Sequence, residues 1–114
     1  MSDSVVQSTR PLPDGLVAQP AGEINFTRSP TLRVELIQLI QQHQPRRLVV
    51  DLAQVAYMDS SGVATLVEAL QQLRPKGGKL VLCNLQDRVR SIFEIARLDS
   101  VFTIVNDEAA AASA

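Results

Sequence analysis

Tyr57-Met58-Asp59-Ser60-Ser61-Gly62-Val63-Ala64 joins an apolar run, Arg47-Leu48-Val49-Val50-Asp51-Leu52, to a helical pattern of Val63, Leu66, Val67, Leu70 and Leu73. The run has the length of a strand and the pattern recurs at helical spacing, so the stretch turns a strand into a helix. Asp59, Ser60 and Ser61 are residue types that accept from the unpaired N–H groups of a first helical turn. Gly62 costs about 1 kcal/mol relative to Ala in a helix interior, and having no side chain it leaves the neighbouring hydroxyls unobstructed. Capping alone selects such residues at a strand-to-helix turn. A nucleophile, an anion site and a modification site are the functional alternatives, and each needs different neighbours.

Working back from that stretch, Ser29-Pro30 reads as a helix start, with a capping hydroxyl and proline at the first helical position. Leu32, Leu36, Leu39 and Ile40, widened by Val34 and Ile37, carry that helix to about Gln42, and Pro45 stops it. Ser4 to Arg10 and Leu16 to Gln19 read as a hairpin around Pro11-Leu12-Pro13-Asp14-Gly15. Pro20 cannot donate a ladder hydrogen bond, so the second strand is expected to end there or lie at an edge. Residues 21–26 are then a loop.

Working forward, Pro75-Lys76-Gly77-Gly78 ends the second helix, and Lys79 to Cys83 is a nearly continuous apolar strand. Asn84 reads as the cap of a third helix with Val89, Ile92, Phe93 and Ala96 inward. Val101 to Val105 reads as a last strand, and the alanine-rich tail from Asp107 as a short helix that frays. The predicted order is ββαβαβαβα, an α/β chain of one domain over residues 1–114. Its largely parallel, mixed sheet has about five strands covered by about four helices. Sites in such sheets lie outside the carboxyl ends of the strands, where Ser60 falls.

Composition narrows the function classes. In 114 residues, 46% are hydrophobic and 20% charged, which suits a globular chain. Eleven basic against twelve acidic side chains give a net charge of −1, no electrostatic case for nucleic acid. No apolar run approaches a membrane span and the N-terminus lacks a leader pattern, so the expected location is the cytosol. Cys83 is the single cysteine, which excludes an internal disulfide and a thiol metal cluster.

A serine nucleophile needs a base. The one histidine, His43, precedes a strand that spans roughly 20 Å at strand rise, so it lies at the end of the sheet opposite Ser60. Lys76 and Lys79 lie beyond the far end of the helix that Ser60 opens, and the flanks are not a G-x-S-x-G elbow. Asp51, Asp59 and Glu23 are scattered carboxylates without a metal-binding motif, and Lys76-Gly77-Gly78-Lys79 lacks the spacing of a phosphate loop. The expectation is therefore no enzyme, no metal and no cofactor. Modification fits: a phosphoryl group on Ser60 adds ~1.5 to 2 negative charges, which a helix N-terminus accommodates and a surface docked over it does not.

Asp51-Leu52 and Tyr57-Met58-Asp59-Ser60-Ser61-Gly62, with Gly22-Glu23-Ile24 upstream and Lys76-Gly77-Gly78-Lys79-Leu80 downstream, resemble the STAS domains of bacterial anti-sigma factor antagonists. The likeness spans nearly the whole chain. It implies that Ser60 is the phosphorylated serine, with Asp59, Ser61, Gly62, Asn25 and Glu23 around it. It also implies a partner, a histidine-kinase-like ATPase that is both anti-sigma factor and serine kinase, bound when Ser60 is bare and released when it is phosphorylated, and a serine phosphatase that restores binding. The family usually carries Asp where this chain has Asn25, which implies a weaker electrostatic distinction between the two states or a different kinase. The alternative implied by the resemblance is a non-switching STAS subunit of a stress-signalling scaffold or transport ATPase. Arg88, Arg90 and Arg97 are candidate contacts for an acidic partner, against the commoner reading of a solvated helix face.

Overall fold

Arg47–Asp51 and Lys79–Cys83 are apolar on both faces, and both are interior strands of a six-stranded sheet. The computed structural model describes residues 3–114. In chain order the elements are β1 (Val6–Leu12), β2 (Gly15–Ile24), α1 (Ser29–His43), β3 (Arg47–Asp51), β4 (Gln54–Met58), α2 (Ser60–Leu73), a 3-10 turn (Arg74–Lys76), β5 (Lys79–Cys83), α3 (Asp87–Ile95), β6 (Thr103–Val105) and α4 (Glu108–Ala111). The strands run in the order β1-β2-β3-β5-β6, with β4 on the far half of β2. β1 is antiparallel to β2 and the remaining pairs are parallel.

The α/β class and the largely parallel sheet are as expected, but the order ββαβαβαβα misses β4. That strand is five residues long, with only Val55 and Met58 buried, so no two-residue alternation marks it. It exists because β2 changes partners along its length. Leu16 to Ala18 pair with Leu48 to Val50 of β3, whereas Ala21, Glu23 and Ile24 pair with Gln54, Tyr57 and Met58. Pro20 sits between the two ladders and opposite a register shift in β1, where its missing N–H breaks nothing. The strand therefore neither ends at Pro20 nor gives way to a loop at 21–26; it runs to Ile24.

Alternation along the central strands separates two apolar faces. Leu16, Ala18, Leu48, Val50, Leu80 and Leu82 pack with the inner residues of α1, α2 and α3, among them Leu36, Leu66 and Phe93. Val17, Val49, Val81 and Cys83 form the other face, beneath Ala111 of α4. The tail from Asp107 is helical over Glu108–Ala111. Asp107 caps α4 by accepting from the Ala110 N–H, and the Arg47 guanidinium donates to the carbonyls of Ala111 and Ala114.

Several local expectations fail where a side chain finds a distant partner. Ser29 does not cap α1: it is the first helical residue, Arg28 occupies the cap position, and the Ser29 hydroxyl points elsewhere. Val34 is exposed rather than inward. Asn84 takes a left-handed conformation (φ 56°) and donates to Asp51 Oδ1, so α3 starts three residues later, after Gln86. Arg97 lies past the end of α3 in a left-handed turn, and Ala96 is exposed.

Burial, then the nearby carboxylates of Asp51 and Asp107, push the Cys83 thiol up to about 12. Thiolate is the reactive form, so native Cys83 is expected to resist thiol reagents at pH 8 and to be labelled only as fast as the chain unfolds. Stoichiometric labelling under native conditions would contradict the packing of α4.

Candidate functional site

The carboxyl ends of β2 and β4 and the start of α2 meet at Asp59. Its backbone N–H donates to the Ile24 carbonyl, 3.0 Å, extending the β2–β4 pairing by one step. Its carboxylate faces two ways. Oδ1 accepts from the Ser61 N–H at 2.9 Å and the Gly62 N–H at 3.4 Å, capping α2, and from the Ser61 hydroxyl at 2.5 Å. Oδ2 accepts from the Phe26 N–H at 3.0 Å, which ties the β2–α1 loop to the same residue. The Ser29 hydroxyl donates to Ser61 Oγ at 2.9 Å.

Ser60 and Ser61 therefore differ sharply. Ser61 is half-buried in this network, and its carbonyl also accepts from the Thr65 hydroxyl. Ser60 is exposed and lies at the lip of an apolar groove of about 330 Å³ between α2 and α3, lined further by Val63, Ala64, Val67, Ile92, Ala96 and Leu98. At the first position of a helix, its hydroxyl sits where the helix dipole favours added negative charge.

Gly62 has a different role from the one its sequence suggests. It is buried, and a Cβ built on it would lie 2.6 Å from Met58 Cγ and 2.9 Å from Ile24 Cγ2. The glycine lets α2 close onto the ends of β2 and β4; it does not clear space around the hydroxyls. Gly62→Ala is expected to lower stability by about 1–3 kcal/mol through overpacking, read from chemical denaturation, whereas a gain would mean the helix start is loosely packed.

Asn25 turns the loop. Its Oδ1 accepts from the N–H groups of Thr27 and Arg28 at 3.0 and 3.1 Å, and its carbonyl from those of Arg28 and Ser29. An aspartate would accept the same bonds, so the amide here changes charge and not the turn. Glu23 is exposed in β2 opposite Tyr57, and its carbonyl accepts from the Arg28 guanidinium at 2.5 Å. His43 lines a depression with Asp14, Gly15 and Arg46, at the amino ends of the parallel strands and away from Ser60. Among the described residues no group of three His, Cys, Asp or Glu side chains gathers as metal ligands, and no helix is long and apolar enough to cross a membrane. Sequence reasoning missed Phe26, an aromatic left 76% exposed beside Asp59, and the Ser29–Ser61 bond.

The Ser61 hydroxyl holds the Asp59 carboxyl below its ordinary value of 3.8; partial burial opposes this, and the N–H groups of Ser61, Gly62 and Phe26 reinforce it. A carboxyl with a depressed folded-state pKa contributes all of its stabilisation above the unfolded-state value and loses it as pH falls through the folded one. Asp59 thus contributes fully above about pH 4, and that contribution fades as pH falls below it toward the lower folded-state value. Ser61→Ala removes the largest cause, so the Asp59 titration midpoint, followed by carbon NMR, is expected to rise. An unmoved midpoint would contradict the bonding described.

The sequence profile described as STAS domain matches residues 6–111. An anti-sigma-B factor antagonist of Listeria monocytogenes is 38% identical over 88 residues, 77% of this chain and 76% of that protein. Among solved structures, an anti-sigma factor antagonist from Mycobacterium paratuberculosis superposes with a TM-score of 0.86 at 21% identity, over 99% of this chain and 95% of that one. The Bacillus cell fate determinant SpoIIAA in its phosphorylated form superposes with a TM-score of 0.68 at 20% identity, over 90% of this chain and 94% of that one.

Proposed function

Because the chain belongs to the STAS domain family, we propose that it is an anti-sigma factor antagonist whose binding is switched by phosphorylation of Ser60. Its partner is an anti-sigma factor of the histidine-kinase-like ATPase type, which also acts as the serine kinase; a serine phosphatase reverses the modification. The chain is ligand and substrate, not catalyst. One observation carries the reading: of the adjacent hydroxyls at the start of α2, that of Ser60 is exposed while that of Ser61 is tied to Asp59.

Phosphate on Ser60 meets the N-terminal end of α2, so the domain tolerates it. A partner seated over the same spot must bury an anion next to the Asp59 carboxylate, at a cost of several kcal/mol. Binding is lost without a change of fold. Asn25 removes one negative charge from the surround, which weakens the repulsion, and Asn25→Asp is accordingly expected to shift phosphorylation rate or partner affinity.

The test is intact-mass analysis after incubation with ATP and the host's histidine-kinase-like serine kinase. Wild type gains one phosphoryl group and Ser60→Ala gains none. A wild-type protein that stays unmodified while binding that kinase tightly would favour a constitutive scaffold role.

A further inference from the structure

The proton count at Asp59 fixes the direction of a short relay. An ionised carboxylate only accepts, so the single proton of Ser61 Oγ is committed to Asp59 Oδ1 at 2.5 Å. The hydroxyl of Ser29, a residue 5% exposed, must then donate to Ser61 Oγ at 2.9 Å. The Ser61 oxygen thus lies between a carboxylate and a buried donor, with both its proton and a lone pair engaged. Ser29 belongs to α1 and Ser61 to α2, so the bond also pins one helix start to the other.

We propose that Ser29 is a positioning residue that reserves the Ser61 hydroxyl and thereby assigns phosphoryl transfer to Ser60. The proposal rests on the modification reading above. In the transfer, the Ser60 Oγ–P bond forms as the bond between the γ-phosphorus and the β–γ bridging oxygen of ATP breaks. ADP leaves, and the hydroxyl proton passes to a base of the kinase. Ser61 is disfavoured on this course while Ser29 holds it: its proton is committed to Asp59 and one of its two lone pairs to Ser29, and an incoming phosphoryl group would meet the Asp59 carboxylate. Without the Ser29 hydroxyl, Ser61 keeps its bond to Asp59 but loses the one to α1, which loosens its side chain toward the surface that Ser60 occupies.

The experiment combines site-localised mass spectrometry with an NMR titration. With kinase and ATP, wild type is expected to carry phosphate on Ser60 alone, Ser60→Ala to carry none, and Ser60→Ala combined with Ser29→Ala to gain it on Ser61. A Ser60→Ala protein modified at Ser61 while Ser29 is intact overturns the inference and leaves the modification reading in place. So does a double variant that folds, as judged by its melting curve, and stays unmodified. Wild type that takes no phosphate sinks the modification reading instead. The relay is then judged by Asp59 alone: its titration midpoint rises in Ser29→Ala if Ser29 holds Ser61 in place, and an unchanged midpoint ends the proposal.

Discussion

Ser60→Glu is expected to bind the proposed histidine-kinase-like partner at least about a hundredfold more weakly than wild type, a loss of ~2.8 kcal/mol, while melting at the same temperature. The two halves have separate causes. A carboxylate at the first position of α2 interacts favourably with the helix dipole, by about 0.3–1 kcal/mol at an exposed site. That offsets its repulsion by Asp59, whose own charge is engaged with Ser61, Gly62 and Phe26. Seated under a partner, the same carboxylate loses solvent and faces the apolar groove it borders. Calorimetry or surface binding checks the affinity, and circular dichroism the fold. A drop of less than about tenfold, equivalent to ~1.4 kcal/mol, would point to a scaffold whose interface does not depend on the charge state of this serine. A collapse of the melting temperature would point to a Ser60 less exposed than described.

What was legible in the sequence is what local pattern encodes. The apolar periodicity of Val63, Leu66, Leu70 and Leu73 located α2, and the unbroken run from Leu80 to Cys83 located an interior strand, because each follows from the faces of a single element. Asp59 as a cap was legible for the same reason, but the strand that turns into α2 is β4 and not the run Arg47 to Leu52. Contacts across the fold were not. Phe26 meets Asp59 across 33 residues and Ser29 meets Ser61 across 32, and no period or motif reports such a pairing. Ser29-Pro30 looked like a cap because serine before proline usually is one; the hydroxyl instead serves α2. Asn84 similarly serves Asp51 rather than α3. β4 was hidden because its pairing depends on where β2 leaves β3, a property of two other strands. Gly62 was located but misread, since its value lies in Met58 and Ile24 beneath it.

Asp59→Ala is expected to cost roughly 2–4 kcal/mol, combining a lost helix cap of about 1 kcal/mol with a hydrogen bond to a charged group at about 1.5–3 kcal/mol. The loss is larger than an ordinary cap deletion because one carboxylate serves two elements. Oδ1 holds the α2 terminus and the Ser61 hydroxyl, while Oδ2 holds the Phe26 N–H. Asp59→Asn separates these roles. Its single acceptor oxygen can face either α2 or Phe26, and whichever way the amide turns, its NH2 group points at a donor. The Asn variant should therefore retain about half the stability that Ala loses, within the ~1 kcal/mol spread of such bonds, and should free either the Phe26 amide or the Ser61 amide to exchange faster. Urea denaturation measures the first and amide hydrogen exchange the second. If Asp59→Ala matches wild type within ~0.5 kcal/mol, the size of an ordinary surface substitution, the carboxylate does not join the loop to the helix. If it destabilises as expected but leaves Phe26 protected, the loop is held by the bonds of Asn25, Arg28 and Ser29. In that case the exposed aromatic is set independently of the residue beside Ser60, and a partner reading both would respond to each mutation separately.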